Sequence, residues 1–112
     1  MIKKIYAVWI YVSDLKKSRK FYEKSIGLKV KLVDGPWIEY DLGDTSFAIH
    51  NRSKVTAQKT RVMFEVDDIE KMKKKLLSNK VKLIGAIRAE SYGKLLTFED
   101  PDGHWLELFE PR

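Results

Sequence analysis

The strongest constraint in this chain is a pattern that runs through it twice. Residues 5–12, IYAVWIYV, are β-branched and aromatic and predict a buried strand. Asp14 follows as a helix cap. Ser18, Phe21, Tyr22, Ser25 and Ile26 then recur at helical spacing, and Gly27 stands where a left-handed residue would end the helix. Three strands are predicted next, at 29–33, 37–42 and 45–50, with turns at Gly35 with Pro36 and at Gly43 with Asp44. After a polar link over 51–60 the order begins again. RVMFEV at 61–66 is a strand, and Asp67 or Asp68 caps a helix whose Ile69, Met72, Leu76 and Leu77 share a face. Asn79 is the expected stop, and strands are predicted at 81–87, 94–99 and 104–109, with 100–103, Asp-Pro-Asp-Gly, as a turn. The copies align at VSDL, 12–15, against VDDI, 66–69, and at FAIHN, 47–51, against LELFE, 106–110. Each copy, at about 4–51 and about 60–110, leaves one sheet face bare, so the two are expected to pack as one domain over 1–112.

The rest of the sequence narrows the class. The chain has 112 residues, 44% of them hydrophobic and 34% charged, which is a globular composition. It has no cysteine, which removes disulfides, thiolate metal sites and a cysteine nucleophile and fits a cytoplasmic protein. The apolar run near residue 5 is too short to span a membrane. Its net charge is +6, but the lysines are spread over two helix faces, Lys16, Lys17, Lys20 and Lys24 on one and Lys71, Lys73, Lys74 and Lys75 on the other. Solvated faces explain them, and no nucleic-acid motif accompanies them. Abundant lysine and glutamate without cysteine is also compatible with a heat-adapted host.

The doubled layout, with VSDLKKSRKFYEKSIGLKV in the first copy and DPDGHWLEL in the second, resembles the glyoxalase / bleomycin-resistance / extradiol-dioxygenase group, the vicinal oxygen chelate superfamily. The resemblance covers the whole chain. It implies an α+β fold in which two βαβββ modules form a curled eight-stranded mixed sheet, a half-barrel, with helices on the outer face. It implies four metal-ligand positions on the inner face, from the first and last strands of each module. Here those positions fall on Ala7, Ala48, Arg61 and Glu107. Alanine cannot bind a metal and arginine repels one, so only Glu107 has a ligand's chemistry. His50 lies two residues from Ala48 on the same side of its strand, so the alternative is one divalent metal ion held by Glu107 and His50. The main expectation is that there is no cofactor and no metal.

Strand alternation then gives the lining. Ala7 facing inward brings Trp9 and Tyr11 with it, while Val8, Ile10 and Val12 pack under the helix. Ala48 brings Ser46 and His50, Arg61 brings Met63 and Glu65, and Glu107 brings Trp105 and Phe109. Trp37, Glu39 and Asp41 form the more polar side of their strand and are expected on the same face. The pocket set is therefore Trp9, Tyr11, Trp37, His50, Arg61, Met63, Trp105, Glu107 and Phe109. Apolar walls with a few polar groups fit a small molecule, and the aromatic faces fit a ring-bearing one. Arg61 is expected either to pair with a ligand anion or to form an ion pair with Glu107. His104 is expected to be exposed, and 88–94 to be a loop at the rim. No catalytic residue is assigned.

Three functions compete. A metal-free binder of a neutral or anionic small molecule is favoured, because aromatic positions are kept while metal positions are lost. The second is a metal-dependent lyase, isomerase or dioxygenase, or an acid/base catalyst using His50 and Glu107. The third is a nucleic-acid or protein-interaction module, carried only by net charge. The resemblance also implies a homodimer.

Overall fold

A computed structural model describes residues 1–112 apart from 2, 4 and 58–61. The chain divides into two compact units, Met1–Thr56 and Ala57–Arg112. Unit 1 holds β1 (Ala7–Tyr11), α1 (Leu15–Lys20), β2 (Lys29–Asp34), β3 (Trp37–Leu42) and β4 (Thr45–His50). Unit 2 holds β5 (Val62–Glu65), α2 (Ile69–Ser78), β6 (Lys82–Glu90), β7 (Gly93–Glu99) and β8 (Trp105–Pro111). The eight strands form two four-stranded sheets, ordered β1-β4-β3-β2 and β5-β8-β7-β6. In each, the first strand runs parallel to the last and the other pairings are antiparallel. This is the mixed α+β architecture of two βαβββ modules.

Both helices begin on an aspartate whose side chain accepts from the amide three residues on. Asp14 Oδ1 takes Lys17 N–H at 3.0 Å, and Asp68 Oδ1 takes Lys71 N–H at 3.1 Å, which settles the second cap on Asp68. α1 widens into a π-helical turn, Phe21–Ser25, before Gly27 turns the chain out at φ 80°. The second helix ends as expected at Asn79, but the left-handed residue is Lys80, at φ 59°. Asn79 instead donates from Nδ2 to the Lys75 carbonyl at 2.8 Å.

One face of each sheet is the core. In unit 1, Ile38, Tyr40, Phe47 and Ile49 are buried, together with Phe21, Tyr22 and Ile26. In unit 2, Leu96, Phe98, Leu106 and Leu108 are buried, as are Ile69 and Leu76 of α2. Full burial of each such side chain stabilises by about 1.5–3 kcal/mol. Behind the sheet of unit 1, the Tyr40 hydroxyl donates to Glu23 Oε2 at 2.9 Å, and Arg19 Nε donates to the same oxygen at 2.7 Å. Burial, followed by the bond to Glu23, pushes the Tyr40 hydroxyl pKa up.

Four expectations change. Leu77 is 52% exposed, because the buried stripe of α2 runs through Ile69 and Leu76 and leaves Leu77 one residue round the helix. Val8 is 39% exposed, since β1 is a sheet edge. His104 is 1% exposed rather than open, because its amide donates to Asp100 Oδ1 at 2.8 Å and folds the turn inward. The segment expected as a rim loop is strand as far as Glu90 and again from Gly93, with Tyr92 in the turn between them, 58% exposed.

Gly93 pairs with Pro111 at φ 152°, and a Cβ there would run into the Glu110 carbonyl oxygen and the Phe109 ring. Gly35, at φ 56°, has open space where its Cβ would be. Gly93→Ala should therefore cost roughly 2 kcal/mol or more, from contact and backbone together. Gly35→Ala should cost only the left-handed backbone, about 1–2 kcal/mol. Urea unfolding of both variants checks this, and equal costs would mean that the contact at Gly93 relaxes freely.

Candidate functional site

Each unit turns its second sheet face away from its helix, and the predicted site residues among those described lie on these faces. In unit 1 the strand register sets them in rows. Trp9 stands opposite Ala48, which stands opposite Glu39, and Tyr11 stands opposite His50, which stands opposite Trp37. The rings meet. Trp9 lies 5.0 Å from Tyr11, 6.0 Å from Trp37 and 5.9 Å from His50, centre to centre. His50 is 5.7 Å from Tyr11 and 5.8 Å from Trp37, both edge to face. His50 Nδ1 accepts the Arg52 amide at 3.1 Å. Beside the cluster, Leu32, Asp34, Gly35, Pro36, Trp37, His50 and Arg52 line a cleft of about 330 Å³.

At the other end of this face stands a group the sequence reading placed on the right side but did not select. Glu39 is 2% exposed. Its Oε2 accepts from Ser46 Oγ at 2.9 Å and from the Tyr6 hydroxyl at 3.1 Å, and its Oε1 accepts from the Trp37 indole at 3.1 Å. Lys31 Nζ lies 3.6 Å from Glu39 Oε2, donates to Ser46 Oγ at 3.5 Å and sits 5.5 Å from the centre of the Tyr6 ring. Burial alone would push this carboxyl up. The bonds from Trp37, Ser46 and Tyr6, with the Lys31 charge, outweigh it and hold the carboxyl below its ordinary value.

Unit 2 repeats the device with its parts exchanged. Glu107, the residue expected to line a pocket, is 5% exposed. Its Oε2 takes Arg88 Nη2 at 2.7 Å and the Thr97 hydroxyl at 3.1 Å, while Arg88 Nη1 also reaches Thr97 Oγ1 at 3.3 Å. Arg61, the partner expected for Glu107, lies outside the described residues. Met63 stands opposite Glu107 and is 51% exposed. The Trp105 indole donates to Glu99 at 3.1 Å, and Phe109 packs 6.1 Å from Tyr92.

Lys31 and Arg88 escaped the sequence reading because no face was assigned over 29–33 and Arg88 fell in the expected loop over 88–94, and a break in register lies beside each. The register shifts between Val30 and Leu32 on β2, and between Ile84 and Arg88 on β6. A bulge turns one side chain against the pleat, so alternation misassigns it. Gly85, inside a strand pattern and at φ 81°, was the readable sign on β6.

The sequence pattern of the Glyoxalase-like domain family matches residues 5–111. The chain belongs to this family. The uncharacterised YetH protein of Bacillus subtilis is 27% identical over 121 residues, covering 98% of this chain and all of YetH. The metallothiol transferase FosB of Lysinibacillus sphaericus is 32% identical over 105 residues, covering 87% of this chain and 74% of FosB. Among solved structures, TnmS3, an antibiotic binding protein from Streptomyces sp. CB03234, superposes with a TM-score of 0.86 at 23% identity, over 99% of this chain and 98% of that one.

The four positions that hold a metal in enzymes of this kind can now be tested against the residues present. Ala7 and Ala48 have no donor atom, and Ala48 is fully buried in the sheet. Glu107 has a donor oxygen, but its described partners are the Arg88 guanidinium and Thr97. A guanidinium 2.7 Å from the carboxylate opposes a cation at Glu107, and a single carboxylate falls short of the three protein ligands a catalytic metal needs. A separate group, Asp100, Asp102 and His104, lies at the β7–β8 turn. Asp100 Oδ1 there accepts the amides of Asp102 and His104, which gives it a turn-forming role.

The depressed Glu39 pKa sets a pH dependence. A carboxyl that binds its proton less readily when folded contributes stability above the ordinary glutamate range, and loses that contribution as pH falls through its folded value. Glu39→Gln should cost about 1.5–3 kcal/mol at pH 7. The difference from the parent protein should narrow below about pH 4. Urea unfolding of both proteins from pH 7 to pH 3 measures it, and a gap that stays constant would show that the charge is not what Glu39 contributes.

Proposed function

We propose that this chain binds a small ring-bearing molecule, neutral or anionic, on the aromatic face of unit 1, and that it does so without a metal ion. The observation that carries the reading is the cluster of Trp9, Tyr11, Trp37 and His50 beside metal positions that have become alanine. Trp9 is 45% exposed, which leaves ring surface for a ligand to cover. The likeness to an antibiotic binding protein supports a binding role. The likeness to a metallothiol transferase favours the competing reading, an enzyme, but Ala7 and Ala48 supply nothing to hold a metal. A net charge of +6 favours a neutral or anionic ligand over a cationic one.

The reading includes a homodimer in the cytoplasm. The sheet edges β1 and β2 leave Val8, Leu32 and Val33 between 39% and 50% exposed, which supports burial against a second copy. No described helix is long and apolar enough to cross a membrane.

Tryptophan fluorescence, titrated with neutral aromatic probes such as naphthalene-1-methanol in the presence of EDTA, tests the reading. Saturable quenching with a Kd below about 1 mM is expected. Trp37→Leu should weaken it by about fivefold or more. Absence of saturable binding across the probes would overturn the proposal, as would binding that requires one tightly held divalent ion per chain. Sedimentation velocity should return about twice the chain mass.

A further inference from the structure

Glu39 links the two ends of the face in unit 1. One oxygen holds the indole of Trp37, a member of the aromatic cluster, and the other takes Ser46 and Tyr6 and lies beside Lys31. The carboxylate is buried while its cation is not: the side chain of Lys31 is 44% exposed and that of Glu39 is 2%. The pair is therefore neutral in sum but turns its positive end outward. Ser46 accepts from Lys31 and donates to Glu39, so the ammonium is held by a chain of contacts rather than by one long ion pair. Ser46, Glu39 and the Tyr6 ring hold the ammonium from the protein side, and the side chain of Lys31 is still 44% exposed, which leaves it open to a ligand.

The neighbouring charges do not cancel this. Asp41, opposite Ser46, accepts the Gly43 amide and stands opposite Lys29. Arg52, at the cleft, is exposed, and no described contact fixes its guanidinium. Ser46 and Ala48 are one pleat repeat apart on β4, about 7 Å, with Trp9 opposite Ala48. Lys31 reaches Ser46, so its ammonium lies over the row next to the one that holds Trp9, Ala48 and Glu39.

We infer that Lys31 is the anion anchor of the face, that Glu39 is its positioning residue, and that the ligand is an aromatic carboxylate or a ring-bearing anion of similar size. This rests on the aromatic-face reading and adds the charged end.

Naphthalene-1-carboxylate and naphthalene-1-carboxamide differ in charge and hardly in shape, so the ratio of their dissociation constants isolates the anchor. At pH 7.5 and low salt the carboxylate should bind about tenfold tighter to the parent protein. Lys31→Met should bring the ratio to about one, with the loss falling on the carboxylate far more than on the carboxamide, and Lys31→Arg should keep most of the preference. Ser46→Ala, which changes no charge, should reduce the ratio by a smaller factor. Its melting temperature, and that of Lys31→Met, checks that each variant is folded. If both probes bind equally, the anchor is wrong and the aromatic face stands. If the preference survives Lys31→Met but is lost in Arg52→Met, the anion sits at the cleft and the assignment to Lys31 is overturned. If neither probe binds, both readings fall together.

Discussion

Each unit must keep one carboxylate inside a sheet face that is otherwise apolar and aromatic. An uncompensated charge there would cost several kcal/mol, so the neighbours of Glu39 and Glu107 are not optional. Both units meet the demand with three parts: a cation reaching in from an outer strand, a hydroxyl as bridge, and the acid. Unit 1 uses Lys31, Ser46 and Glu39, and unit 2 uses Arg88, Thr97 and Glu107. In both, the cation is much more exposed than the acid it serves. The outer end of each group is therefore positive, whichever strand the acid is on.

The two versions differ in where the acid sits. In unit 1 it is on β3, directly opposite Ala48; in unit 2 it is on β8, directly opposite Thr97. Position 48 is thus not simply an acid lost. The carboxylate of unit 1 stands one strand away, with the small side chain of Ala48 between Glu39 and Trp9. A longer residue at 48 would push at both neighbours, because Ala48 is fully buried. The choice of alanine and the choice of Glu39 belong to one packing solution.

Periodicity exposed the repeat, the cap at Asp14 and, to within one residue, the cap at Asp67 or Asp68, and the side of each strand on which Trp9, Tyr11, Trp37, His50 and Glu107 stand, because a two-residue period is a local property. It did not expose the partners. Lys31 lies within the register shift of β2 and Arg88 at the end of that of β6, and each meets its acid across a strand pairing that the pattern of one strand does not record. The same limit explains His104. Its amide is held by the Asp100 side chain four residues back, a contact that residue type alone does not announce. Leu77 failed for a different reason: an apolar residue next to a narrow stripe is indistinguishable by type from one within it.

The bulges also bear on what the faces can recognise. A bulge adds a residue to one strand without shifting its partner, so the cation it carries can change while the aromatic register of β1, β3 and β4 stays fixed. Shape selection and charge selection are then set by separate stretches of chain: rings by the regular strands, charge by the irregular ones. Glu39 is where they are coupled, since it holds the Trp37 indole with one oxygen and lies against Lys31 with the other. A substitution at Glu39 must disturb both selections, whereas Lys31→Arg keeps the positive charge that Glu39 requires and alters only the shape of the anchor.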